Sequence, residues 1–275
     1  MRVGLVQLNV GPDPAANLPV TAARVKEAYA AGADLVCTPE VTGFITTDAD
    51  HQAAMIRQES DDETLDALRS IAVQAGRWLS IGSLAVDTGD PDGRFANRSF
   101  LIAPSGEIAA RYDKIHMFDV EVSETEKYRE SARYRPGTDA VLAETPYGRI
   151  GLSICYDLRF PALYRRLAQA GADILLIPSA FSPVTGAAHW EPLLRARAIE
   201  TGCFVIAAAQ TGEHVGAPKP RATHGHAMIV SPWGEVLCDM GTEPGVACVD
   251  LDLSAVAEAR RRVPSLSHDR DFGGP

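Results

Sequence analysis

The sequence predicts an α/β fold in which two similar sheets pack together, and three observations carry that prediction. The first is an internal echo: Arg2-Val-Gly-Leu-Val-Gln-Leu-Asn9 returns as Arg149-Ile-Gly-Leu-Ser-Ile-Cys-Tyr156. Ala31-Gly-Ala-Asp-Leu-Val-Cys-Thr-Pro39 likewise returns as Ala170-Gly-Ala-Asp-Ile-Leu-Leu-Ile-Pro178, and Phe100-Leu-Ile-Ala-Pro-Ser-Gly-Glu-Ile108 as Met228-Ile-Val-Ser-Pro-Trp-Gly-Glu-Val236. Matches in the same order in both halves indicate duplication. The second is a set of apolar residues at helical spacing with recognisable ends. The third is a set of continuous apolar runs, the pattern of strands buried on both faces.

In chain order, Met1 to Leu8 is a strand. Leu18, Ala22, Val25 and Tyr29 mark a helix that stops at Gly32, and Leu35–Thr38 is the strand expected beside the first. Leu65, Leu68, Ala72 and Ala75 mark a second helix, capped by Asp61 or Asp62 and stopped by Gly76. In the second half, Arg149 to Ile154 alternates as a strand. A helix is expected after Asp157 as its cap, with Pro161 in its first turn and Gly171 at its end. Asp173–Ile177 and Cys203–Ala209 are strands, with a helix from His189 to Thr201 between them that carries Pro192 near its start. Residues 112–147 and 211–223 fit no period and read as long irregular loops, which in compact domains are usually functional. No linker divides the chain, so residues 1–275 are expected to form a single domain.

Composition narrows the function. A charged fraction of 23% and an apolar fraction of 46% are those of an ordinary globular protein. The net charge of −10 argues against nucleic acid as partner, since phosphate binding needs clustered cations. No apolar stretch approaches the ~20 residues of a membrane span, and no signal peptide is visible. The five cysteines (37, 155, 203, 238 and 248) form no C-x-x-C pair, so neither a disulfide framework nor a zinc ribbon is indicated. A reducing cytoplasm is the expected location.

Cys155 stands where a strand ends and a helix pattern begins. A thiol there would face the positive helix end and unpaired backbone N–H groups, favouring thiolate and offering oxyanion donors. Most free cysteines are simply small buried hydrophobes. The echo gives this one a distinction, because its first-half counterpart is Leu8. It does the same for Glu40, which follows Pro39 at a strand end where ligands of α/β sheets bind; Pro178 is followed instead by Ser179. Lys114 and Glu130, each unremarkable alone, lie in the irregular stretch.

Together, Thr-Pro-Glu40, Tyr-Asp-Lys114, Arg-Glu-Ser131 with Pro136-Gly137, and Gly-Leu-Ser-Ile-Cys155-Tyr-Asp-Leu-Arg-Phe-Pro161 resemble, in order, the nitrilase superfamily of carbon–nitrogen hydrolases. The resemblance extends to Gly186-Ala-Ala-His-Trp-Glu191 and Ser231-Pro-Trp-Gly-Glu235 and covers nearly the whole chain. It implies a four-layer α-β-β-α sandwich with internal pseudo-twofold duplication and a catalytic Glu40, Lys114 and Cys155, with Glu130 as second glutamate. Lys114 and the backbone N–H of Tyr156 would hold the oxyanion. The implied reaction is cysteine-dependent cleavage of a terminal carboxamide to carboxylate and ammonia through a thioester, with no metal or organic cofactor. A like charge near Glu40 would raise a carboxyl pKa and suit proton shuttling.

Cys155-Tyr-Asp-Leu-Arg-Phe-Pro161 is similar to the branch of ω-amidases and deaminated glutathione amidases. Within it, residues 186–200 with Ala207-Ala-Ala-Gln-Thr-Gly212 are more similar to the latter. That implies a small carboxylate-bearing amide substrate, bound by Arg159, Phe181 and Thr185, and a homodimer or larger assembly. The alternatives are an ω-amidase acting on α-ketoglutaramate or α-ketosuccinamate, then a carbamoylase or nitrilase. A metal hydrolase built on His224-Gly-His226 and a non-catalytic binding protein stand last, since no third ligand is evident and the catalytic residues are all present.

Overall fold

Apolar strands that recur after amphipathic helices can bury themselves only by stacking, and the computed structural model, which describes residues 1–122, 127–216 and 221–274, shows how they do so. The first half runs β1 (Arg2–Gln7), α1 (Pro14–Ala30), β2 (Leu35–Cys37), α2 (Ala49–Met55), β3 (Arg57–Gln58), α3 (Glu63–Ala75), β4 (Trp78–Asp87), β5 (Ala96–Ile102) and β6 (Ile108–Asp113). A ribbon of β7 (Asp119–Glu121) and β8 (Lys127–Arg129) follows. The second half runs β9 (Leu142–Thr145), β10 (Gly148–Leu152), α4 (Pro161–Gln169), β11 (Ile174–Leu176), α5 (Pro183–Thr201) and β12 (Phe204–Ala207). It continues through a ribbon of β13 (Thr211–His214) and β14 (Arg221–His224), then β15 (Met228–Val230) and β16 (Val236–Asp239). β17 (Gly245–Asp250) and α6 (Ser254–Arg262) close the chain.

The two halves build the same sheet. One has the order β17-β1-β2-β4-β5-β6, with β3 added at β4, and the other β9-β10-β11-β12-β15-β16. In both, the second, third and fourth strands are parallel and the outer pairings antiparallel. The duplication read from sequence is thus a duplicated topology, and the layers are α-β-β-α. Alternation assigns the faces: Val3 and Leu5 of β1 join the core shared with the second sheet, whereas Val6 packs with Val25 and Ala28 of α1. Gly4 points to α1 so closely that a Cβ would lie 2.7 Å from that of Ala28. Among the described residues no helix is long and apolar enough to cross a membrane.

Local signals set several ends. Asp62 caps α3 by accepting from Leu65 N–H, and Gly76 ends it with a left-handed φ of 62°. Gly202 ends α5 the same way at 61°.

Three expectations are corrected, and two helices are added. Asp157 does not cap α4; it lies in a 3-10 turn, Cys155–Arg159, and Pro161 opens α4 after Phe160. Its buried carboxylate instead accepts from Tyr112 Oη (2.6 Å) and from the backbone N–H groups of Ile154 (2.9 Å) and His116 (3.0 Å). That use of the side chain inside the molecule outweighs capping a helix four residues on. Helix α5 begins six residues before His189, because Pro183 supplies a favourable first position and Pro192 is tolerated inside it. Residues 112–147 and 211–223 are not irregular throughout but hold short antiparallel ribbons and β9, too brief to show a period; residues 123–126 and 217–220 lie outside the described set. Finally, α2 and α6 were not anticipated, being short and largely exposed.

Candidate active site

Two sharp turns meet where the sheets' carboxyl ends come together. Cys155 follows Ile154 with φ of 47°, and Val41 follows Glu40 with φ of 49°. Left-handed backbone is costly for non-glycine residues, above all a β-branched valine, so the surroundings hold both turns in place. Cys155 N–H donates to Pro178 O (2.9 Å) and Val41 N–H to Ser83 Oγ (2.9 Å). Beneath them Gly82 of β4 is indispensable: a Cβ there would fall 2.2–2.5 Å from Thr38 O, Pro39 O and Pro178 Cβ. The absence of a side chain lets the turns carrying Glu40 and Ser179 close on one another.

The structure brings Glu40, Lys114, Glu130 and Cys155 together. Lys114, only 2% exposed, donates through Nζ to Glu40 Oε1 (2.9 Å) and lies 3.0 and 2.9 Å from the two Glu130 oxygens. Glu40 also accepts from Asn97 Nδ2 (2.9 Å) and, at Oε2, from Ala180 N–H (2.9 Å), and it shares the cavity wall with the Cys155 thiol. Glu130 is fixed from behind by Phe118 N–H (2.6 Å). Asn97 bridges the two carboxylates, reaching Glu130 Oε1 at 3.3 Å.

Electrostatics sets the resting protonation. Burial alone would raise the Glu40 pKa, but the Lys114 ammonium, together with hydrogen bonds from Lys114 and Cys155, outweighs it and holds the carboxyl below its usual range. Burial would lower Lys114, yet Glu130 and Glu40 keep its ammonium well above the ordinary value. Cys155 moves the other way: burial first, then the Glu40 charge, push the thiol far up. The expected thiolate is therefore replaced by a neutral thiol against a carboxylate. A five-residue 3-10 turn lacks the dipole of a full helix, so the field expected at Cys155 is not there. The raised carboxyl expected at Glu40 is overturned as well, since Lys114 stands between it and Glu130.

These groups open on a cavity of about 640 Å³. Phe181 and Thr185, two of the residues expected to contact substrate, line it, as does Tyr156. Arg159 does not. It stands one layer back, its guanidinium 5.9 Å from the Tyr156 ring centre and 5.5 Å from that of Phe181, with nitrogens 3.3 Å from His189 Nδ1.

Sequence reasoning missed Asn97, Gly82 and Arg221. Asn97 had no clear signal, since Arg98 and Ser99 follow it in β5 and only the fold shows which of the three faces the site. Arg221 had none, because only the chain path carries it into the cavity wall. The histidine pair has a local explanation: the rings of His224 and His226 stack 4.7 Å apart and His226 Nδ1 lies 2.9 Å from Asp239. Among the described residues no three His, Cys, Asp or Glu side chains converge as a metal-ligand set.

Comparison with known proteins bears on the fold and the family. The sequence profile of the family described as carbon-nitrogen hydrolase matches residues 2–261. A deaminated glutathione amidase of Yersinia enterocolitica is 39% identical over 98% of this chain and 93% of its own length. Among solved structures, the NitFhit protein of C. elegans superposes with a TM-score of 0.89 at 37% identity, over 98% of this chain, which spans 65% of that longer protein. Saccharomyces cerevisiae Nit3, a member of branch 10 of the nitrilase superfamily, gives a TM-score of 0.86 at 28% identity over 99% of this chain and 97% of its own.

Proposed function

The chain belongs to the carbon–nitrogen hydrolase family and hydrolyses carbon–nitrogen bonds, and from that premise we propose that it is a deaminated glutathione amidase whose nucleophile is Cys155. The observation that carries the mechanism is the placement of the buried Cys155 thiol and the Glu40 carboxylate together at the wall of one cavity, the thiol pKa pushed up by burial. A thiol held far above its usual pKa cannot attack unaided, and the group beside it is a base.

In this reading, Glu40 takes the S–H proton as sulfur bonds to the amide carbon. Lys114 Nζ and the Tyr156 backbone N–H hold the resulting oxyanion. Protonated Glu40 then gives its proton to the amide nitrogen, the C–N bond breaks, and a thioester remains. Water, deprotonated by Glu40, releases the acid and restores the thiol. Glu130 and Asn97 keep Lys114 and Glu40 in register throughout. Phe181 and Thr185 form the wall for the acyl part, with Arg159 setting a positive potential behind it. In deaminated glutathione the scissile amide joins the 2-oxoglutaryl unit to cysteinylglycine, so the leaving nitrogen is that peptide's amine, whereas a terminal carboxamide such as α-ketoglutaramate releases ammonia.

The same reading treats residues 1–275 as one hydrolase domain, supported by the core that both sheets share. It also carries a cytoplasmic location, supported by the free cysteines, and a homodimer or larger homo-oligomer, which solution mass would test.

Cys155→Ala provides the test. It should abolish release of 2-oxoglutarate from deaminated glutathione while circular dichroism and thermal unfolding stay those of the folded protein. Undiminished turnover would remove Cys155 from the mechanism. Failure of the unaltered enzyme on this substrate, with turnover of α-ketoglutaramate, would move it to the ω-amidases.

A further inference from the structure

The cavity contains a cation that the mechanism leaves unused. Lys114 is held by two carboxylates, Lys127 pairs with Glu121 at 3.1 Å, and Arg133 donates to Gln52 at 2.7 Å. Arg129 is exposed at the rim, paired in register with Asp119. Arg221 is half-buried on the wall, and among the described residues no carboxylate pairs with its guanidinium. Removing a guanidinium from water without a partner is unfavourable, so such a residue in a cavity is suited to an anion that arrives.

Its place is fixed by the ribbon that carries it. β14 pairs antiparallel with β13, Arg221 opposite His214. His214 is buried, Nδ1 2.8 Å from Val10 O and Nε2 2.8 Å from Thr223 Oγ1. Thr211 N–H donates to Leu8 O (2.8 Å) and His224 N–H to Phe181 O (2.9 Å), tying both strands to the sheets.

The side of the cavity follows from the ribbon's root. β13 begins directly after Gln210, whose Nε2 donates to Glu40 O at 3.1 Å, so the ribbon and Arg221 stand on the Glu40 side of the cavity they line together. Glu40 is the group that must protonate the departing nitrogen, so the leaving group lies on that side too. We propose that Arg221 binds a carboxylate carried by the leaving group of the substrate, making the enzyme selective for amides whose amine portion ends in an acid. This rests on the amidase reading above and deepens it. A cysteinylglycine leaving group ends in such a carboxylate, whereas the ammonia of a primary amide offers Arg221 nothing.

The test compares two substrates, deaminated glutathione and the same molecule with its glycine carboxylate converted to a carboxamide. The ratio of their kcat/KM values cancels any effect Arg221 exerts through Glu40. In the unaltered enzyme the acid should be preferred roughly 10- to 100-fold, the range of a charge-assisted hydrogen-bonded pair. Arg221→Gln should bring the ratio close to one, and Arg221→Lys should restore part of it. A ratio near one in the unaltered enzyme overturns the proposal without any variant, which keeps it open to refutation even if Arg221→Gln fails to fold. A high ratio that survives Arg221→Gln overturns it equally. If the unaltered enzyme cleaves neither compound yet hydrolyses α-ketoglutaramate, the substrate reading falls and the proposal with it, an outcome distinct from the first two.

Discussion

The two halves share a backbone and differ in what they do with it. After β6, Lys114 N–H donates to Asn97 O (2.9 Å); after β16, Met240 N–H donates to Ala227 O (3.0 Å). After β2 the chain turns at Glu40, and after β11 at Ser179, whose hydroxyl only returns to Ile177 O (3.1 Å). β10 leads to Cys155, whereas β1 leads to Leu8, buried in the core behind α1. One set of turns thus holds Glu40, Lys114, Asn97 and Cys155, and the counterpart set holds Ser179, Met240, Ala227 and Leu8. Gln210 joins the two sets, its Nε2 donating to Glu40 O at 3.1 Å. Burying one charge demands a whole set of partners, so the chemistry stays concentrated in one place while the duplicated turns keep their backbone bonds.

Exchanging side chains at equivalent turns should break the comparison most sharply. Glu40→Gln keeps the shape but removes the base, and kcat on deaminated glutathione should fall by about 10²–10⁴. Ser179→Ala at the matching turn loses one local hydrogen bond, about 1 kcal/mol of stability, with kcat changed by less than a few-fold. Steady-state kinetics and denaturant unfolding on the pair check both numbers. Equal losses of activity would mean that the two ends are not chemically distinct.

A smaller but more diagnostic contrast is Lys114→Met against Met240→Ala. Removing the ammonium leaves Glu40 and Glu130 buried together, which should cost about 3–5 kcal/mol at neutral pH. The sign with pH should reverse. In the unaltered enzyme Glu40 is depressed, so its contribution is present above the unfolded carboxylate value and lost as pH falls through the folded one. In Lys114→Met that carboxyl rises, the penalty is largest at neutral pH, and acid relieves it. The acid limb of kcat/KM should move upward in step. Met240→Ala should cost about 1 kcal/mol of packing with no such pH dependence.

What could be read beforehand divides along the same line. Asp62 and Gly76 were legible because capping is local, and the sheet repeat was legible because duplicated strands keep their apolar pattern. Glu40, Lys114, Glu130 and Cys155 were legible only as an ordered set; no local pattern brings residues so far apart onto one cavity. Gly82 and Asn97 act through contacts between segments distant in sequence, and Arg221 through a ribbon too short to show alternation. The thiolate expected at Cys155 failed for a related reason. Its premise was a helix dipole, and the turn that forms is too short to supply one, while burial, and after it a carboxylate from the other half, raises the thiol pKa.

The ribbon carrying Arg221 gives the mildest of these contrasts, between the rigid sheets and an element clipped onto them. Burial, with the Arg221 charge as a lesser cause, lowers the His214 pKa from 6.5 to about 4 against the opposing hydrogen bond to Val10 O. Protons therefore bind the unfolded or opened state more tightly, and stability falls as pH drops from about 6.5 towards 4. The full shift corresponds to on the order of 3 kcal/mol, lost across that window. Amide hydrogen exchange in β13 and β14 should accelerate over this range, while that in β2 and β11 stays slow. His214→Phe should remove the pH dependence, although it also gives up the hydrogen bonds to Val10 and Thr223. Uniform acceleration across sheets and ribbon would show that the clip is not a separate unit, and that Arg221 is held as firmly as Glu40.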